Sequence, residues 1–295
     1  MDAGDLRVFE AVARLGGMNR AASVLNTVQS NVTARVRLLE EELGTALFER
    51  HSRGVALTAA GRRLLPYATR IADLLGEARR AVADDGTPKG PLLLGSLETT
   101  AALRLPPILA GYAASHPEVD LVLGTGTTAE LALQVLERRI EGAFVCGPVD
   151  HPELIEEAVF SEQLVVVTAP SVRSFDAVAR RSGLKIVVLR TGCSYRQRLE
   201  TLLAARGVVG LRRLEFGTLG AILGCVAAGI GISLLPRGIV EPAWRAGRIA
   251  IHELSRDEAE VETVFIRRRD AFVSSALDAF MRYARGNPAA ANAAE

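Results

Sequence analysis

Gln29, Ser30, Asn31 and Thr33 lie almost side by side, and each side chain both donates and accepts hydrogen bonds. That is the chemistry of reading base edges, and Arg35 and Arg37 follow close behind where they can hold phosphates. Further on, Arg50 and Arg53 flank a short basic stretch around His51 and can reach a phosphate or a minor groove. The competing reading is a solvated helix that packs on one side and does nothing on the other.

These side chains need elements to aim them. Residues 20–25 make a short helical segment with Ala21, Ala22 and Leu25 on one face, entered from Asn19 as N-cap. After a turn, Val28, Val32, Val36, Leu39 and Leu43 recur at spacings of three and four, which predicts a second helix ended by Gly44. Two such helices make a helix-turn-helix. An amphipathic helix over residues 6–15, stopped by Gly16 and Gly17, packs beneath it. Two extended runs between Leu47 and Leu57 form a wing around the basic turn. Residues 1–57 are therefore expected to be a winged helix-turn-helix DNA-binding domain.

Thr58 caps a long helix reaching toward Ala83, with Leu64, Leu65, Ala68, Ile71, Leu75, Ala78 and Val82 on one stripe. At 1.5 Å per residue it spans roughly 40 Å, so its stripe calls for a partner helix unless it is a bare spacer. Pro66 fits only in its first turns or at a kink. Turn residues and charges over 84–90 form a hinge, so residues 58–90 read as linker and dimerisation helix.

From residue 91 to 286 the pattern changes to strand-like runs (91–97, 119–123, 142–146, 164–168, 186–189, 213–216, 231–235) alternating with helices. This predicts an α/β domain of parallel sheets covered by helices on both faces, long enough for two lobes. A terminal helix closes with Phe280, Met281 and Tyr283, and residues 287–295 are left as a C-terminal tail.

Ligands bind such sheets at the carboxyl ends of the strands. Those ends carry small and hydroxylated residues: 95–100, 124–128 and 190–196, the last with Arg190 and Arg196. Hydroxyls, helix N-termini and arginines suit a small anion, although each serine or threonine can equally be a helix cap. Cys193, beside two arginines at a helix start, is expected to have a lowered pKa and to sense oxidants, unless it is only a small residue that fits the turn. The glycine-rich run 224–236 lacks the lysine of a phosphate loop and reads as tight helix-to-strand packing.

At this point the chain resembles a known family. The paired Ala21 and Ala22, the run from Val28 to Thr33, the Leu39, Glu40, Leu43, Gly44 pattern, and Leu47, Phe48 and Arg50 in the wing resemble, in this order, the N-terminal domain of the LysR-type transcriptional regulators. Val28 departs from the pattern where a capping serine is usual, so Thr27 or Ser30 must cap. Ala34 departs where an arginine is common, and Arg35 and Arg37 are left to supply that charge. The remainder resembles the periplasmic-binding-protein-like effector domain of the same family, with runs 96–107 and 192–196 similar to its YofA-like branch.

The resemblance implies a homodimer, and a tetramer beyond it, presenting recognition helices to double-stranded DNA under the control of a small-molecule effector held between two lobes. It also nominates Ser96, Thr99, Thr100, Thr127, Cys193 and Ser194 as effector-binding residues.

The composition bounds the alternatives. The chain has 295 residues, 49% hydrophobic and 23% charged, and a formal net charge of +1, so any nucleic-acid affinity rests on locally placed arginines. Cys146, Cys193 and Cys225 have neither metal-ligand spacing nor an even count, which suits a reducing, cytoplasmic setting. No signal peptide or membrane span is expected, and nothing implies a metal or a cofactor. Two rivals use the C-terminal half. A cysteine-dependent enzyme needs a base, and none of the four histidines lies near Cys193 in sequence. A solute-binding protein for transport predicts a signal peptide and no DNA-reading helix.

Overall fold

A computed structural model describes residues 1–51, 54–179 and 183–286, and the chain divides into two units, Met1–Asp84 and Asp85–Glu295. The first unit comprises α1 (Ala3–Leu15), α2 (Met18–Val24), α3 (Gln29–Leu43), β1 (Phe48–His51), β2 (Gly54–Leu57) and α4 (Ala59–Ala83). α1 begins earlier than its apolar pattern suggests because Asp2 and Asp5 form a reciprocal capping box. α2 starts at Met18 with Gly17 as an N-cap that lacks a side-chain bond, so Asn19 lies inside the helix and does not cap it.

Phe9, Val12, Ala21, Val32, Val36, Leu39 and Leu47 form the core of this unit, and the rings of Phe9 and Phe48 lie 5.2 Å apart. Burying each large apolar side chain contributes about 1.5–3 kcal/mol, which sets three short helices around one centre. β1 and β2 pair antiparallel from Phe48↔Leu57 to His51↔Gly54, forming the wing. Thr58 caps α4 through Gly61 N, as its sequence suggests. Only the start of α4 joins the core. Tyr67, Leu74 and Val82 stay exposed, Val82 at 90%.

The second unit begins with β3 (Gly90–Ser96), α5 (Glu98–Leu103), α6 (Leu105–Ser115), β4 (Val119–Thr125), α7 (Thr128–Leu136) and β5 (Gly142–Cys146). β6 (Leu154–Thr168), α8 (Phe175–Ala179), β7 (Lys185–Leu189), α9 (Ser194–Ala205), β8 (Arg212–Phe216), α10 (Leu219–Ala227), β9 (Ser233–Pro236) and α11 (Arg237–Arg245) follow. β10 (Ala250–His252), α12 (Arg256–Ala259), β11 (Glu260–Arg268) and α13 (Ser275–Ala284) complete it.

The sheets are mixed, not purely parallel. β3 pairs parallel with β4 and β5, and β7 with β8, but β11 runs antiparallel to both β5 and β6, and β9 and β10 are antiparallel to β6. β6 and β11 are long because they serve two lobes in turn. The first half of β6 pairs with β11, which pairs on its other side with β5 through residues 263–266, whereas the second half of β6 carries β9 and β10. Lobe I is built on β3 to β5 and lobe II on β7 to β10. α6 and α13 cover one face of lobe I around Tyr112, Phe144 and Phe280, and α10 and α11 cover one face of lobe II around Val187, Ile222 and Val240. Between these layers one continuous core joins Leu131 and Val145 of lobe I to Ile186 and Leu199 of lobe II.

Candidate functional site

The first candidate surface is α3. Its backbone periodicity buries Val32, Val36 and Leu39 against α1 and leaves Gln29, Ser30, Asn31, Ala34 and Arg37 exposed. Val28 is the N-cap, 65% exposed and without a side-chain bond, so neither Thr27 nor Ser30 caps the helix. Thr27 Oγ1 instead accepts from Asn31 Nδ2 at 2.9 Å. The amides that open α3 are thus left for an outside acceptor.

Two residues expected on this face are turned away from it. Arg35 lies 3.5 Å from Asp5 of α1, and Thr33 Oγ1 is buried without a partner. Arg35 therefore does not supply charge at the exposed Ala34 position; Arg37 comes nearest to doing so, held at 2.7 Å by Glu41. Glu40 has a role that the sequence did not suggest. Its Oε1 accepts from Leu47 N at 2.7 Å and Phe48 N at 3.1 Å, fastening the start of the wing to the end of α3. Arg53 and the side chain of Arg50 lie outside the described residues, as does the 287–295 tail.

The second candidate is a narrow cavity at the carboxyl ends of β3, β4, β5 and β7, where Leu97, Thr125, Cys146 and Leu189 line it. The N-termini of α7 and α9 open into it through Thr127, Thr128, Cys193 and Ser194. Contacts between the lobes draw the cleft together. Ser194 Oγ donates to Thr128 Oγ1 at 3.0 Å, and the same oxygen accepts from Cys146 N at 3.4 Å. Leu219 N, opening α10, donates to Glu98 Oε1 at 3.1 Å. Gly192, with φ of 94°, passes so close to lobe I that a Cβ there would meet Thr127 Oγ1 at 2.9 Å, which is why the chain has glycine at this crossing.

Four of the six residues nominated from sequence line this cavity: Thr99, Thr127, Cys193 and Ser194. Ser96 and Thr100 do not. Ser96 is wholly buried, with Oγ donating to Leu97 O, and Thr100 is turned into the core beneath α5. Thr127 closes a capping box with Glu130, whose carboxyl is held below its usual range by the Thr127 amide and by Arg190. Thr99 Oγ1 is buried with no hydrogen-bond partner; the Tyr195 phenol lies beside it without reaching hydrogen-bond geometry.

Glu98, Arg190 and Tyr195 also line the cavity and were not nominated. The signal for Glu98 was present as the single acid in a run of small and hydroxylated residues. Cys193 does not have the lowered pKa expected of it. The Tyr195 and Arg196 amides and the Arg196 charge do favour its thiolate, but burial outweighs them and pushes the thiol up. Cys146 is raised for the same reason. Among the described residues no group of His, Cys, Asp or Glu is placed to hold a metal ion, and no helix is long and apolar enough to cross a membrane.

A winged helix-turn-helix and, in the same chain, a two-lobed α/β unit with a cleft at its strand ends are the parts of a DNA-binding transcriptional regulator with an effector-binding domain. Residues 3–62 match the model of bacterial regulatory helix-turn-helix proteins of the lysR family, and residues 85–289 match the LysR substrate binding domain. The chain belongs to the LysR family of transcriptional regulators.

It is 44% identical over 280 residues to the regulator GltR of Bacillus subtilis, covering 95% of each chain. It is 48% identical over 281 residues to the B. subtilis protein YusT, covering 95% of this chain and 94% of that one. With YofA of the same organism it is 42% identical over 281 residues, covering 95% and 97%, in keeping with the branch its effector domain resembles. Among solved structures, full-length CbnR in complex with its target DNA is 25% identical, with a TM-score of 0.66 over 97% of this chain and 100% of that one. Full-length OxyR from Pseudomonas aeruginosa, 19% identical with a TM-score of 0.67 over 98% and 94%, shares the fold.

Proposed function

We propose that a small anionic effector binds in the cleft of this regulator, which acts in the cytoplasm as a homodimer assembled through α4 and, beyond that, as a tetramer. The observation that supports the effector reading is the opening of the uncapped α9 N-terminus into the cavity that Arg190 also lines. The exposed stripe Tyr67, Leu74 and Val82 along α4 supports the dimer, because a helix of that length with an unburied apolar face gains stability from a second copy. The domain limits that go with this reading are 1–57 for DNA binding, 58–90 for dimerisation and hinge, and 91–286 for the effector. On the DNA side, Gln29, Ser30 and Asn31 read base edges, Arg37 with Arg50 and Arg53 holds phosphates, and Arg35 and Thr33 seat α3 on α1. Ser96 and Thr100 support the cleft from beneath, whereas Thr99, Thr127, Cys193 and Ser194 face it.

Fluorescence anisotropy with the duplex upstream of the protein's own gene and a scrambled duplex, over a salt series, tests the DNA reading. Gln29→Ala is expected to erase the preference for the upstream sequence. Arg37→Ala is expected to weaken binding to both duplexes and to reduce the slope of log K against log salt by about one. Unchanged slope and preference in these variants would refute the assignment of α3. Sedimentation of wild type beside Leu74→Glu with Val82→Glu tests the dimer helix, since an unaltered mass would remove it.

A further inference from the structure

We infer that the effector is a zwitterion, a small free amino acid or close amino-carboxylate, with its carboxylate at the N-terminus of α9 and its ammonium held by Glu98. This rests on the cleft reading above and narrows it: the anionic group of the effector is a carboxylate, and an ammonium on the same molecule offsets its charge.

Glu98 stands on α5 of lobe I and lines the cavity. Its Oε1 accepts from Leu219 N of lobe II at 3.1 Å, and no arginine or lysine among the described residues forms an ion pair with it. A carboxylate so placed has one oxygen in use and acceptor capacity left over. The same cavity wall carries the opposite chemistry. The uncapped α9 N-terminus, Arg190, and Thr99 Oγ1, buried to 2% exposure and unpartnered, offer donors and positive charge, whereas the α7 N-terminus already holds the Glu130 carboxylate. Glu98 and these donors line one cavity at the strand ends, so one small molecule meets both sets at once.

The alternatives each leave a group unmatched. A simple carboxylate satisfies the helix end but brings a second negative charge into a confined space with Glu98, where like charges repel strongly. A neutral ligand leaves the spare acceptor capacity of Glu98 and the uncapped α9 amides unmatched. An ammonium offers three donors to Glu98 while the ligand carboxylate meets the amides and Ser194. Leu97 and Leu189 give the remaining lining an apolar part for a side chain. Because Glu98 also bridges to α10, the ligand's ammonium joins the contact that holds the two lobes together.

The experiment uses the full chain, with the common L-amino acids and the carboxylic acids of the same carbon skeletons lacking the amine as probes, read by thermal shift and then by titration calorimetry. Wild type, Glu98→Gln and Ser194→Ala are compared. Gln keeps an acceptor for Leu219 N, so Glu98→Gln removes charge while leaving that contact in place. At least one amino acid is expected to bind wild type about tenfold or more tighter than its deaminated counterpart, and to lose that margin in Glu98→Gln. Deaminated acids that bind wild type as tightly as the amino acids, or an amino acid unaffected by Glu98→Gln, would overturn the inference. Binding confined to the deaminated acids and abolished by Ser194→Ala would sink it while leaving the cleft reading intact. Silence from both classes would sink both.

Discussion

Replacing Glu40 separates the recognition helix from its wing without touching any residue assigned to DNA. One carboxylate oxygen accepts two backbone amides, Leu47 N at 2.7 Å and Phe48 N at 3.1 Å, at the point where the chain leaves α3 and enters β1. Both side chains that follow are buried, so the amides cannot turn to water without pulling Leu47 and Phe48 out of the core. Hydrogen bonds to a charged acceptor contribute more than neutral ones, and a half-buried donor stripped of its partner keeps its desolvation cost. Glu40→Ala is therefore expected to weaken local closure of the wing by about 2–3 kcal/mol. Glu40→Gln, which keeps an acceptor but loses the charge, is expected to cost about 1 kcal/mol.

Hydrogen exchange resolved at Leu47 and Phe48 reads this directly. An opening equilibrium shifted by that amount speeds exchange of the two amides by about 30- to 150-fold in Glu40→Ala and by about fivefold in Glu40→Gln. Amides of α9 and β11 in the other unit serve as the internal reference and are expected to stay unchanged. If exchange at Leu47 and Phe48 rises less than about threefold in Glu40→Ala, the carboxylate is not what fixes the wing. If Gln is as damaging as Ala, charge rather than acceptor geometry carries the contact.

Other consequences can be checked with simpler measurements. A Cβ at Gly142 would stand 2.1 Å from Phe265 Cζ and 2.9 Å from Ile266 O, so Gly142→Ala is expected to destabilise the effector unit by about 2–3 kcal/mol, seen as a lower midpoint in urea unfolding. An unchanged midpoint would mean that β5 and β11 part easily. Cys225 is less buried than Cys193 and Cys146, whose thiols burial pushes up, so alkylation of the native chain is expected at Cys225 first, with all three equalised in denaturant. Faster labelling of Cys193 would restore it as a reactive thiol. Burial holds His116 and His252 below the ordinary value of 6.5, so the unfolded chain binds their protons more readily. Their contribution to stability is whole above pH 6.5 and is lost as the pH falls through their folded values. Thermal melts from pH 7.5 down to 5.5 should fall less in the variant carrying His116→Gln and His252→Gln, and an equal fall would refute this.

The legible parts of the chain were those set by neighbours in sequence. Thr58, Gly16 and Gly44 sit where helix ends were expected because a cap is a local event, settled by three or four residues. The long antiparallel pair β6 and β11 was not legible, since its partners lie far apart in sequence and the acids Glu156, Glu157 and Glu162 make the start and middle of β6 read as a loop. Its alternation of apolar and polar positions becomes meaningful only once Val261, Val264 and Ile266 of β11 lie beside it. That pairing is what turns an expected parallel sheet into a mixed one shared by two lobes.

The cleft was half legible for a related reason. Where strands end can be read from alternation, but which hydroxyl at a strand end faces the ligand depends on where the next helix begins. α5 begins at Glu98, so Glu98 and Thr99 face the cavity while Thr100, one residue further round the helix, turns into the core. Thr127 offered a clearer signal, because a threonine followed three residues later by Glu130 is a capping box, and its hydroxyl is already engaged. The Cys193 thiol shows the limit of reading charge from sequence. Arg196 does stand beside the thiol, but its effect scales with how much water surrounds the group, and water exclusion is set by residues such as Leu97 and Cys146 that arrive from other parts of the fold. The same exclusion makes Glu98 informative. Its carboxylate, half-buried at the cleft and in no ion pair with an arginine or lysine among the described residues, keeps acceptor capacity for a cation that a bound molecule brings.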